Sequence, residues 1–254
     1  MQTHQYQIEA IERATLAAVG AATVHELPGW LLGLEPGTVG RAHSAVPLQH
    51  AAPDEALIPI IEARYAAHGL SPVFRLPLVA SFKAARTALM QRGYASVQPT
   101  LVQVGSAGAM AAQFSGSGAE LAATPCEGWV SVFLGEGFDP INRANRDRLL
   151  SRATGAVFAS VRVDGRLVAA GVGCFSHAWA SIHGLRTALG HRGQGLAGSI
   201  LGALAQEAQA RQIESVFLQV EAVNSPALAL YRRAGFATAW TYEYWRKAKS
   251  PSST

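Results

Sequence analysis

The sequence predicts a mixed α/β fold built from two related halves, on three observations. Apolar runs of strand length alternate with segments of helical periodicity along the whole chain. A helix–strand–helix-Gly-aromatic–strand order occurs twice, at an offset of 142 residues. A glycine-rich turn, Arg192-Gly193-Gln194-Gly195-Leu196-Ala197, joins a strand pattern to a long amphipathic helix pattern.

The elements follow in order. Residues 7–19 read as a helix, with Ile8, Ile11, Leu16 and Val19 among its apolar positions. Residues 22–27, 29–34 and 40–46 read as short strands set off by Pro and Gly turns. Pro53-Asp54-Glu55 opens a helix to about residue 68, with Gly69 as C-cap. Residues 73–76 form a strand and 82–91 a helix stopped by Gly93. Residues 94–104 alternate like a strand in which Pro99 marks an edge or a bulge. Small residues dominate 105–118, which reads as a linker or long loop. The second half restarts with a helix over 139–152. Strands at 156–163 and 167–174 are joined by the hairpin signal Asp164-Gly165, and a further strand covers 179–186. After the glycine turn a helix runs to about residue 211, with Ala197, Ile200, Leu201, Leu204, Ala205 and Ala208 on one face. Residues 215–220 read as a buried strand. Ser225 caps the next helix with Pro226 at its first position, Gly235 ends it, and 236–245 is the last strand.

The repeat rests on Leu89-Met90-Gln91-Arg92-Gly93-Tyr94 against Tyr231-Arg232-Arg233-Ala234-Gly235-Phe236, and on Val73-Phe74 against Val216-Phe217. Opposite the glycine turn, the first half has His50-Ala51-Ala52-Pro53-Asp54. It lacks glycine, and Asp54 puts a negative charge where an anion would sit.

Composition bounds the function. The 254 residues are 49% hydrophobic and 15% charged, enough for a substantial core and against global disorder. The net charge of +4 is spread along the chain, without the basic run of a nucleic-acid footprint. Cys126 and Cys174 make no disulfide framework and no zinc motif. The histidines show no metal-ligand spacing, so no metal is expected. The N-terminus lacks signal-peptide character and no apolar stretch is long enough to span a bilayer, so the expectation is a cytoplasmic protein without a membrane partner.

The glycine turn is neither a P-loop nor G-x-G-x-x-G. By itself it is either a tight strand-to-helix turn or an anion cradle, where unpaired N–H groups and the helix dipole converge. Arg192-x-x-Gly195-x-Ala197 resembles the acetyl-CoA signature Q/R-x-x-G-x-G/A of the GNAT N-acetyltransferase superfamily. Asn224, Ala227, Leu230, Tyr231, Gly235 and Phe236 resemble the superfamily's N-x-x-A-x-x-[LF]-Y-x-x-x-G-F segment. The detailed resemblance covers about residues 150–246, and the first half resembles a degenerate second copy, as in tandem GNAT proteins.

The resemblance implies a mostly antiparallel, splayed sheet flanked by helices. It divides the chain into a degenerate domain (1–105) without the phosphate loop, a linker (106–124) and an acetyl-CoA-binding domain (125–254). It implies acetyl transfer from acetyl-CoA to a primary amine, on a small molecule or peptide, by direct attack in a ternary complex. The pyrophosphate falls to the N–H groups of Gly193, Gln194, Gly195, Leu196 and Ala197, with Arg192 adding a charged contact. Leu185 and Thr187 offer backbone partners to the pantetheine, and Asn224 contacts the cofactor or caps its turn. Tyr231 is the general acid for the leaving thiolate. The base is Glu221 acting through water, His183, water alone or another residue, because Gln219 stands where many relatives carry Glu. Trp30, Trp129, Trp179, Tyr242 and Tyr244 line an acceptor pocket or belong to the core. Cys174 reads as packing. A non-catalytic CoA-binding sensor or scaffold, or an unrelated nucleotide-type phosphate binder, are the rival readings. The chain is expected as a monomer or homodimer.

Overall fold

A computed structural model describes residues 2–114, 118–135, 140–150, 152–153 and 155–247, with side chains from residue 7 onward. The strands are β1 (Val24–Leu27), β2 (Trp30–Gly33), β3 (Ala45–Pro47), β4 (Val73–Pro77), β5 (Tyr94–Ser106), β6 (Ala119–Ala122), β7 (Ala156–Val163), β8 (Arg166–Ser176), β9 (Trp179–Thr187), β10 (Ser215–Glu221) and β11 (Ala237–Lys247). The helices are α1 (Gln2–Val19), α2 (Leu57–Ala67), α3 (Lys83–Gln91), α4 (Ala107–Gln113), α5 (Trp129–Phe133), α6 (Pro140–Leu150), α7 (Leu196–Ala210) and α8 (Ser225–Arg233).

The strands form one sheet in the order β1-β2-β3-β4-β11-β5-β10-β9-β8-β7-β6. Every neighbouring pair is antiparallel except β3–β4 and β9–β10, as the predicted mixed, mostly antiparallel class requires. The repeat is structural: α3 and α8 lie 142 positions apart at both ends, and β4 and β10 start 142 apart. The two halves trade their last strands. The first half's β5 pairs with β10 along the whole of that strand, while the second half's β11 pairs with β4. The traded strands pair with each other at the centre of the sheet.

The pleat sorts side chains between two helical layers. Val216, Leu218 and Val220 of β10 join α7 residues such as Ile200, Leu201 and Leu204. Phe217, on the opposite face, joins Ile11 and Ala14 of α1. In the first half, Phe74 and Leu76 pack with Ile58, Ile61 and Leu89 of α2 and α3. Helices α2, α3, α4, α7 and α8 therefore cover one face, and α1, α5 and α6 the other. Each fully buried Leu, Ile or Phe contributes about 1.5–3 kcal/mol. Under α1 the buried Arg75 and Glu12 form an ion pair.

Several expectations change. Residues 107–113, expected as loop, form α4. Ser106 caps it by accepting the Ala109 N–H at 3.1 Å, and Gly198 and Gly202 let α7 come against the adjoining Phe114. A Cβ on Gly202 would lie 2.2 Å from the Phe114 carbonyl oxygen. Residues 40–44, expected within a strand, form turns before the three-residue β3. Helix α2 starts at Leu57, because Asp54 forms a turn in which its Oδ1 accepts the Ala56 N–H at 2.9 Å. Pro99 does mark a bulge: the β5–β11 register shifts beside it and Gln98 has φ +57°, but the strand is central, not an edge. The cap of α8 is Asn224 in place of Ser225. Asp139 and Ser151, both inside the helix predicted over 139–152, lie outside the described residues, as do 115–117 of the predicted linker.

Candidate active site

The site begins with a split in the sheet. The parallel strands β9 and β10 are in register at Ala180/Val216, Ser181/Phe217 and Ile182/Leu218, and then part. Beyond that point β9 stays with β8 as far as Thr187, and β10 stays with β5 as far as Glu221. Each leaves an edge facing the gap. A bulge accompanies the split: the β8–β9 register slips between Ala170 and Val172, and Gly184 opposite has φ +57°. A Cβ on Gly184 would lie 1.9 Å from Cε2 of Phe133, so both backbone and space demand glycine. The bulge breaks the alternation of faces. His183 borders the α1/α6 side, while Leu185 packs with the α7 cluster.

On the α7 face, a cleft of about 750 Å³ runs from the gap end of β9 to the N-termini of α7 and α8. It gathers Leu185, Thr187, Arg192, Gly193, Gly195, Leu196, Ala197, Asn224 and Tyr231 of the predicted site. Gln194 is exposed on the same turn. Gly193 and Gly195 have φ +77° and +79° with nothing within 4 Å of a Cβ, so the turn needs glycine for its backbone and stays open to the cleft. No side chain caps α7 and no acid occupies its first turn. The Ser199 N–H reaches the Gly195 carbonyl, which leaves the N–H groups before it without helical carbonyls. Arg186, Arg192 and Arg233 add positive charge to the walls. Burial and Arg192 hold the Arg186 proton affinity below its usual value. The Arg192 Nε donates to the Thr187 carbonyl at 3.3 Å, bracing turn against strand. This donor set fits a phosphate-bearing ligand.

Asn224 Oδ1 accepts the Ala227 N–H at 3.3 Å, so its side chain starts α8 at the rim of the cleft. Two turns on, Tyr231 is 9% exposed and packs edge-on to Phe236. Burial pushes its phenol up to about 12, so it stays protonated at neutral pH.

Glu221 and His183 lie across the sheet from that cleft. Glu221 is exposed, accepts from Gln98 Nε2 at 2.7 Å, and lines a pocket of about 160 Å³ with Arg41, Arg146, Arg246, Tyr242 and Tyr244. His183 borders an adjoining hollow of about 50 Å³ that shares Arg41 and Arg146. Arg41 points Nη1 at His183 Nδ1 (3.5 Å), so Nε2 carries the ring proton and donates to Ser181 Oγ at 2.8 Å. Burial, then Arg41, lowers the His183 pKa to about 3. Gln219 is fully engaged: Nε2 donates to Thr15 Oγ1 and Oε1 accepts from Tyr242, both at 2.9 Å. Trp30, Trp129 and Trp179 belong to the core, as does Cys174, whose thiol burial pushes up to about 12. Among the described residues no group of three His, Cys, Asp or Glu is placed to hold a metal, and no helix is long and apolar enough to cross a membrane. Sequence reasoning missed Arg41, Arg146 and the fit of Gly184 to Phe133. It also missed the Gly198-x-x-x-Gly202 spacing in α7, the signal that could have announced the close approach of Phe114.

A sheet split at a parallel pair, with a glycine-turned helix beside the split, defines a GNAT acetyltransferase fold, here in tandem. A GCN5-related N-acetyltransferase from Kribbella flavida is similar over 95% of this chain and 96% of that one (TM-score 0.69, 16% identity). A tandem GNAT protein from the clavulanic acid biosynthesis pathway matches over the same shares (TM-score 0.62, 15% identity). A functionally unknown conserved protein from Staphylococcus epidermidis matches over 90% and 95% (TM-score 0.68, 11% identity). Residues 5–245 match the family described as "Probable histone acetyltransferase Rv0428c C-terminal", and the chain belongs to that family. No curated protein matches it.

Proposed function

We propose that the protein transfers an acetyl group from acetyl-CoA to a primary amine by direct attack in a ternary complex. One observation carries this reading: a phosphate-type cleft borders the β9 edge of the gap, and on the opposite face of the sheet a polar pocket borders the β10 edge, joined to β9 by the hollow at His183 and Gly184. Acetyl-CoA supplies the activated acetyl thioester. The N–H groups of residues 193–197, with Arg192, hold its pyrophosphate, and the open edge of β9 at Leu185 and Thr187 takes the pantetheine amides.

The amine nitrogen bonds to the acetyl carbon as the carbon–sulfur bond breaks. Glu221 takes the nitrogen's proton through water, and Tyr231 gives one to the sulfur. Glu221 is the better proton acceptor of the two candidates, because His183 at about 3 stays neutral and keeps both ring nitrogens engaged. The carboxylate of Asp54, already on the Ala56 N–H, supports one cofactor per chain, bound by the second half. The family's name speaks of a histone acceptor, which would present a lysine amine.

The test mixes the protein with acetyl-CoA and a panel of amines and follows free thiol. Amine-dependent thiol release is expected. A thermal shift with CoA but no release from any amine would make the protein a CoA-binding sensor. A shift with nucleotides and none with CoA would overturn the cofactor as well.

A further inference from the structure

We infer that the acceptor is a small amine that also carries an anionic group, held by Arg41 and Arg146 on the face opposite the cofactor cleft. This rests on the acetyl-transfer reading above. Three guanidinium groups, of Arg41, Arg146 and Arg246, line the 160 Å³ pocket. Glu221 shares the pocket and accepts from Gln98. The buried Glu12 carboxylate pairs with Arg75 and also lies in the field of Arg41.

Arg41 and Arg146 are partly buried and also line the hollow that reaches His183 and Gly184. They therefore stand between the pocket and the gap where the amine must arrive. Their charges oppose each other: burial, then Arg41 and Arg186, bring Arg146 down to about 10. Guanidinium forks on one wall of a small pocket match the oxygens of a carboxylate or phosphoryl group. Arg246 lies over the Tyr244 ring, 5.3 Å from its centre, as a third cation in the wall. A lysine-rich tail would bring like charge into this pocket.

Acceptors are tested in matched sets: amino acids beside their carboxamides and decarboxylated amines. Aminoethylphosphonate separates a phosphoryl from a carboxylate anion, and a lysine-rich peptide is the cationic extreme. The anionic member of a set should exceed its neutral partners in kcat/KM by at least about tenfold. Arg146→Gln should collapse that ratio while CoA still raises the melting temperature. Carboxamides or the lysine-rich peptide performing as well as the acids in the wild-type protein would overturn this inference and leave acetyl transfer standing. CoA binding without thiol release from any amine would overturn acetyl transfer, and this inference with it.

Discussion

Tyr231 and His183 show how burial sets chemistry one side chain at a time. A phenol near 12 keeps its proton at neutral pH, and under the proposed mechanism it gives that proton up to the thiolate, so Tyr231→Phe should act on the chemical step. A loss in kcat on the order of 10²-fold is expected, with CoA affinity by calorimetry changed less. Unchanged turnover would remove Tyr231 from the mechanism. The His183 shift also has a stability consequence. Its folded pKa, about 3, lies below the ordinary value of 6.5. Between those values the unfolded chain binds the extra proton, so stability falls as the pH falls. His183→Gln removes this contribution, and its urea midpoint should drop less than the wild type's between about pH 7.5 and about pH 5. Equal drops would overturn the argument. The sequence brought Tyr231 forward through its motif, but the ring's surroundings were invisible: Arg41 reaches His183 from 142 positions away. Asn224 was legible as a cleft residue, whereas the cap of α8 was read at Ser225, because either adjacent polar side chain can start a helix.

At the level of elements, the gap depends on one residue of β9. Gly184→Ala combines a left-handed backbone with a methyl driven into the Phe133 ring. It should destabilise the protein by about 3 kcal/mol in urea titration. Gly193→Ala has the same backbone demand but open space, so about 1 kcal/mol is expected, and a larger loss of CoA affinity than of stability. Equal costs at the two positions would contradict the clash at Phe133. Elements with a strong period or a turn signal, such as α7, β10 and the β7–β8 hairpin, were legible. Helix α4 was not, because its Ala-Gly-Ala-Met-Ala-Ala-Gln sequence carries almost no polar contrast. Its helical state comes from the Ser106 cap and from packing on α7, and the second of these is a tertiary contact that no local pattern announces.

For the molecule as a whole, the traded strands make the halves interdependent. Without β11, the edge of β4 is open, and without β5 the edge of β10 is open along its full length. A single cooperative unfolding transition is expected by circular dichroism. Residues 1–105 and 125–254 expressed apart should fail to give dispersed amide spectra, and should recover them when mixed. Two independently folded pieces would overturn this. The exchange was hidden from sequence because β5 and β11 are equivalent in the repeat, so either could pair with either neighbour. The cleft of about 750 Å³ is lined by residues 185–233, all from the second half. The opposite pocket takes Thr38, Val39, Gly40, Arg41, Gln98 and Thr100 from the first. On the proposed reading, changes in the first half, which lacks the glycine turn, would retune which amine is accepted while leaving the acetyl-donor side constant. Exchange of residues 38–41 between relatives would then shift acceptor choice without touching the wall that holds the donor.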